Sequence, residues 1–206
     1  MRNIIWIFLL FFNTLLFAQN DDGSRLYQTF GEKKAYQLLV DLADKGDAWA
    51  MYALGVSYYK ARGIKQDYKK SFFWLKKAAD KNYADAQYLL GTLYYHGRGT
   101  LKDLSKAYSW YEKAAQNGNV TAMFNLGQMS ANGWGVSKDY TKAFFWFEKA
   151  AQKGSVLAQS KLGLMYAGGL GVKKDMKTAK KWIKKAYDGG DKEAKKAWEM
   201  FKLWKY

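Results

Sequence analysis

AFFWFEKAAQKG, residues Ala143 to Gly154, sets four aromatic side chains in a row between small residues and closes on glycine. The same order returns as SFFWLKKAADKN from Ser71, AYSWYEKAAQNG from Ala107 and AKKWIKKAYDGG from Ala179. Successive copies lie 36 residues apart, and other columns keep that step. Gly55, Gly91, Gly127 and Gly163 coincide, as do Gly63, Gly99, Gly135 and Gly171. Asp67, Asp103, Asp139 and Asp175 form a third column, and Leu54, Leu90, Leu126 and Leu162 a fourth. Ala50, Ala86, Ala122, Ala158 and Ala194 form a fifth. A spacing this regular marks a structural unit and not a catalytic motif.

Each unit reads as two helices. In the first, Ala50, Leu54 and Tyr58 recur at i, i+4 and i+8, one stripe of a helix A over about 47–60. Helix B follows over about 67–80. Asp67 suits its N-cap, because a carboxylate there accepts a free first-turn amide. Glycine after each helix B (Gly118, Gly154, Gly190, with Asn82 in the first unit) tolerates the left-handed exit. On this reading Trp146 is the large core knob of its helix B, with Ala143 and Ala150 giving room beside it. Trp146→Ala is then expected to cost about 3–5 kcal/mol. Glycine inside helix A costs about 1 kcal/mol per position relative to alanine. Close approach of the helix-B tryptophan is the expected compensation.

These columns together (Leu-Gly, Tyr-x-x-Gly-x-Gly, then Asp-x-x-Lys-Ala-x-x-Trp-x-x-Lys-Ala-Ala-x-x-Gly) resemble the Sel1-like repeat, a relative of the tetratricopeptide repeat. The chain departs from it at Ser130 for the tyrosine, Ala61 for the first loop glycine and Thr178 for the lysine. The resemblance implies an all-α fold, a right-handed α-solenoid of helix-turn-helix repeats. The expected layout is a half-unit at 31–46, repeats at 47–82, 83–118, 119–154 and 155–190, and a capping helix at 191–206. Nine helices are expected, or ten if Ser24 to Phe30 adds a turn.

Composition narrows the function. The chain of 206 residues has no cysteine and one histidine, His96. Disulfides, thiolate catalysis and multi-histidine metal sites are therefore excluded. His96 lacks accompanying carboxylates, a phosphate loop or a nucleophile, so no catalytic residue, metal or cofactor is expected and the chain is read as a non-enzyme. The formal net charge is +16, and 171–206 alone holds twelve lysines against five acids. Arg2 followed by the apolar run Ile4 to Phe17 and the small Ala18 reads as a secretory signal peptide over 1–18, with a segment 19–30 before the solenoid. A retained anchor is the other reading of that run. Export to the periplasm or medium is the expectation.

By resemblance, helix A lines a concave face. Its positions off the apolar stripe are then Trp49, Tyr52, Val56 and Tyr59, then Asp85, Tyr88, Thr92 and Tyr95. Thr121, Phe124, Asn125 and Gln128 follow, then Leu157, Ser160, Lys161 and Leu164. Trp49, Tyr52, Tyr59, Asp85, Tyr88, Tyr95, Phe124, Asn125 and Gln128 are the candidate partner-binding set. Tyr52, Tyr59, Tyr88 and Tyr95 are expected to form a two-by-two aromatic patch, because residues seven apart share a helix face. The implied function is a monomeric, non-catalytic interaction module of the cell envelope, binding a protein partner as an adaptor or as an immunity protein against a secreted toxin. Binding of an anionic lipid or polymer through the lysine-rich end is the alternative, and a secreted hydrolase a weaker one. Nucleic acid is not an expected partner, nor is stable membrane insertion after cleavage.

Overall fold

The computed structural model describes residues 22–201, and every regular element among them is a helix. The helices are α1 (Ser24–Phe30), α2 (Glu32–Asp44), α3 (Ala48–Lys60), α4 (Tyr68–Asp80), α5 (Ala84–His96) and α6 (Leu104–Gln116). They continue with α7 (Val120–Asn132), α8 (Tyr140–Gln152), α9 (Val156–Gly168), α10 (Met176–Asp188) and α11 (Lys192–Met200). The described residues thus hold eleven helices, more than the nine or ten expected. Four pairs supply eight, α2 and α11 are the half-units, and Ser24–Phe30 is a helix in its own right. The expected signal peptide at 1–18, the first residues of segment 19–30 and the tail 202–206 lie outside the described residues.

Helix A starts at 48, 84, 120, 156 and 192, and helix B at 68, 104, 140 and 176, so the 36-residue step holds in the structure. The helices gather into two compact units, one ending at Leu101 and the other starting at Lys102. Both use the same local chemistry. Asp67, Asp103, Asp139 and Asp175 cap helix B by accepting first-turn amides, as at Lys69 N (2.9 Å) and Lys106 N (2.9 Å). At the exit of helix A the backbone turns left-handed at Gly97, Gly133 and Gly169, and at Ala61, whose φ is 57°. Alanine there bears a steric strain that glycine does not. Gly99 is under a second constraint: a Cβ on it would sit 2.0 Å from the Tyr68 carbonyl oxygen.

The four aromatics of 143–154 divide by role. Phe147 is 4% exposed and occupies the socket left by Gly127, where a Cβ would lie 2.6 Å from its ring. Leu75 fills the same socket at Gly55 and Ile183 at Gly163. Phe144 meets Tyr166 edge-on at 5.3 Å, as Phe72 meets Tyr94 at 5.4 Å and Tyr36 meets Tyr58 at 6.4 Å. Where Ser130 replaces the tyrosine of that column, its hydroxyl lies 3.3 Å from the Tyr108 hydroxyl. Phe145 is 47% exposed.

Trp146 is not the core knob. It is half-buried, as are Trp74, Trp110 and Trp182. Lysines three residues on lie over three of these rings, at 5.0 Å for Lys77, 4.1 Å for Lys113 and 5.5 Å for Lys185. The helix-A glycine does admit a close neighbour, but that neighbour is the residue after the tryptophan. Helical geometry explains this: Ala143, Phe147 and Ala150 share one stripe, and Trp146 lies about 100° from Phe147 around the axis.

Candidate partner-binding face

The off-stripe residues of helix A fall into two groups, one in each unit. In the first, the Tyr52 ring packs on Tyr83 at 5.0 Å. Tyr59 meets Tyr68 at 5.5 Å, and the Arg98 guanidinium lies 5.4 Å from both rings while donating to the Tyr59 hydroxyl. Tyr88 and Tyr95 are half-buried, Tyr95 against His96 at 5.0 Å, and Asp85 is exposed. His96 itself is the exposed last residue of α5. Two expected groove positions are core instead: Trp49 is 5% exposed, and Val56 is buried. Position 49 recurs as exposed Asp85, Thr121 and Leu157. The exception is the indole, which would otherwise leave about 200 Å² of ring area in water.

A short N-terminal segment is pinned to the same unit. Arg62 Nη1 donates to Asp22 Oδ1 at 2.8 Å and Lys60 Nζ to Asp22 Oδ2 at 2.7 Å. Burial alone would raise the Asp22 pKa. Hydrogen bonds from Arg62, Lys60 and Ser24 outweigh it and hold the carboxyl well below the usual carboxylate range. Behind this clasp the Tyr27 hydroxyl donates to Ser57 Oγ at 2.9 Å, in the interior.

In the second unit the predicted Phe124 and Gln128 open onto a cleft of about 540 Å³. Val156, Leu157 and Lys161 of α9 line it with them, and Gly189 to Glu193 close it. Phe124 rests on Phe147 at 5.6 Å, so the core knob also supports the cleft floor. Leu157 is 54% exposed, and Lys161 pairs with Glu193 at 2.7 Å on the rim. Asn125 is half-buried on the same helix. Ser160, expected in the groove, is buried. Val156 and Glu193 escaped the sequence reading. The first helical residue carries no mark of its direction, and the pattern of a capping helix predicts an end to the repeats, not a wall of a cleft. This floor of three apolar side chains with a charged and amide rim suits the anchor side chain of another protein.

Among the described residues no group of three or more His, Cys, Asp or Glu side chains converges to hold a metal. No helix among them is long and apolar enough to cross a membrane.

A Sel1-repeat family model matches residues 50–83, 84–119, 120–155 and 156–191. Among solved structures, a protective antigen of uropathogenic Escherichia coli with an SLR fold is 33% identical at a TM-score of 0.80, covering 84% of this chain and 38% of its own. A Sel1-repeat protein of Oxalobacter formigenes is 32% identical at 0.77, covering 82% and 50%. Cysteine-rich protein B of Helicobacter pylori is 30% identical at 0.50, covering 62% and 91%. The chain thus spans half or less of the first two, and it has none of the cysteines for which the third is named. No curated protein matches. The fold is an all-α solenoid of helix-turn-helix repeats, a scaffold that is typically non-catalytic and generally binds other proteins. The chain belongs to the Sel1-repeat family.

Proposed function

We propose that this protein is a non-catalytic interaction module that grips a protein partner on its helix-A face. The observation that carries the reading is the cleft of about 540 Å³ beside the exposed Leu157. A leucine more than half in water contributes little to the fold, and next to Phe124 and Val156 it completes an apolar socket. The first unit carries its own half-buried tyrosines, Tyr52, Tyr88 and Tyr95, as a separate contact surface. We place the protein in the cell envelope as an exported chain, on the strength of the apolar run Ile4 to Phe17. There it serves as an adaptor or as an immunity protein against a secreted toxin.

Site-directed photo-crosslinking in the parent cell tests the proposal. A crosslinker at position 157 should capture a discrete partner that one at Phe73, 51% exposed on helix B, does not. Leu157→Asp should abolish capture while leaving the helical CD spectrum intact. Equal capture from both positions, or capture unaffected by Leu157→Asp, would overturn the assignment. A captured toxin neutralised by the purified protein selects the immunity role. A captured pair of envelope proteins that separate in a deletion strain selects the adaptor role.

A further inference from the structure

The second unit ends on a departure from the repeat. Trp198 stands in the column of the buried Leu54, Leu90, Leu126 and Leu162, and Glu199 in the column of the helix-A glycine. At those glycines a Cβ would lie 2.5–2.6 Å from Leu75, Phe147 or Ile183. Glu199 therefore removes the socket in which a further helix B would seat. Trp198 packs against the core cluster that holds Ile183 and Ala194, and its ring stacks on Tyr187 at 6.3 Å and 29°. Among the described residues it is the one aromatic lining of a cup of about 620 Å³, beside Lys177, Lys180, Lys181 and Lys184.

Those four lysines lie at i, i+3, i+4 and i+7 on α10, a single stripe about 10 Å long at 1.5 Å per residue. Lys180 Nζ lies 5.9 Å from the Trp198 ring, and Lys184 pairs with the exposed Asp188 at 2.6 Å.

We infer that the cup docks an extended acidic segment of a partner protein, with carboxylates along the lysine stripe and an apolar side chain seated on Trp198. The stripe disperses its ammonium groups along a helix, which suits a row of carboxylates. A single phosphate would need donors that converge on one point. The ring forms a floor instead of projecting, which suits a peptide side chain and not insertion into a bilayer. Opposite charge across such a surface steers encounter and selects the partner. This site lies on α10 and α11 and stands independently of the helix-A cleft.

The test uses the full chain and a fluorescein-labelled peptide, EELEELEE, read by anisotropy at about 50 mM salt, where surface charge is weakly screened. Lys177→Glu, Lys181→Glu and Lys184→Glu together reverse three exposed charges and should weaken binding at least about tenfold, or 1.4 kcal/mol. Lys33→Glu, Lys65→Glu and Lys81→Glu, exposed on the first unit, change net charge equally and should leave affinity within about twofold. Trp198→Leu restores the residue of the repeats, keeps the packing and should weaken binding about three- to tenfold by removing the aromatic floor. Equal loss in the two lysine triples would mean bulk charge alone and overturn the site. So would full affinity in Trp198→Leu, or absent peptide binding with lysine-dependent capture on vesicles containing anionic phospholipid.

Discussion

Gly163→Ala puts the packing of the repeat to its sharpest test, because two physical effects push it in opposite directions. In a free helix the change stabilises by about 1 kcal/mol. At Gly163 the new Cβ would lie 2.6 Å from Ile183 Cγ1, 3.0 Å from Ile183 N and 3.3 Å from the Ala179 carbonyl oxygen. Two of these three neighbours are backbone and cannot rotate away. α9 and α10 must therefore part by about 1 Å to regain ordinary contact near 3.5 Å. A gap of that size forfeits a quarter to a half of each contact, and a buried side chain of this size makes roughly 40–60 contacts of about 0.1–0.2 kcal/mol. Half of Ile183 facing α9 loses about 1.5 kcal/mol, and the alanines and other side chains along the parted α9–α10 seam bring the loss to about 3 kcal/mol. The net effect is a destabilisation of about 2 kcal/mol, or about 4–8 °C in Tm for a chain of this length. Thermal melts followed by CD at 222 nm and urea titrations measure it. Gly127→Ala should cost less, because the three nearest atoms all belong to the Phe147 ring and a ring can tilt. Combining Gly163→Ala with Ile183→Ala should cost less than the sum of the single changes, since both forfeit the same Ile183 contacts and the second removes the nearest obstacle, Cγ1. A rise in Tm for Gly163→Ala would refute the socket argument and leave propensity as the whole effect.

Phe147→Ala should destabilise by about 3–5 kcal/mol and Trp146→Ala by about half as much, since the indole is already partly in water; equal losses in urea melts would return the tryptophan to the core. Ala61→Gly should raise stability by about 0.5 kcal/mol, because relief of the left-handed strain exceeds the added freedom of the unfolded chain; a lower Tm would show that the alanine methyl makes a contact of greater value. Asp22→Asn should cost about 1 kcal/mol at neutral pH, the scale of a partly exposed ion pair. Because folding lowers the Asp22 pKa, that contribution is complete above the ordinary carboxylate value of 3.8 and fades as pH falls below it. Wild type and Asp22→Asn should therefore converge in acid, and a constant gap in Tm across that range would remove the clasp from the explanation. Tyr59→Ala with Tyr95→Ala should weaken partner capture by at least about 2 kcal/mol. It should also lower Tm, because Tyr59 packs with Tyr68 and Arg98.

The helix pairs, their caps and the two half-units were legible because they depend on residues that recur in register. Aspartate at an N-cap and glycine at a left-handed exit each answer one backbone requirement, so identity and position suffice. The core knob was not legible in the same way. Its column holds Leu75, Tyr111, Phe147 and Ile183, four shapes fitted to four local volumes. The tryptophan beside it never changes and so looked like the core. Identity across repeats marks a common geometric demand, and a half-exposed ring under a lysine meets such a demand as well as a buried one. The candidate site was legible in part. Phe124 and Gln128 line the cleft, but whether Trp49 or Tyr59 turns inward depends on ring size and on neighbours such as Arg98, which periodicity does not encode.

The column headed by Gly55 links the fold to both proposed surfaces. With glycine, helix A accepts the knob of helix B, and in the second unit that knob, Phe147, supports Phe124 at the cleft floor. With Glu199 the same column refuses a knob, and the neighbouring Trp198 becomes the floor of the lysine cup. One position thus decides where repeats continue and what the last one exposes. Glu199→Gly with Trp198→Leu should therefore reopen an apolar socket at the end of the second unit. Its signature would be concentration-dependent self-association in sedimentation velocity, by another copy's exposed apolar residues seating there. A variant that sediments as the wild type does at every concentration would show that the end is closed by something other than Glu199.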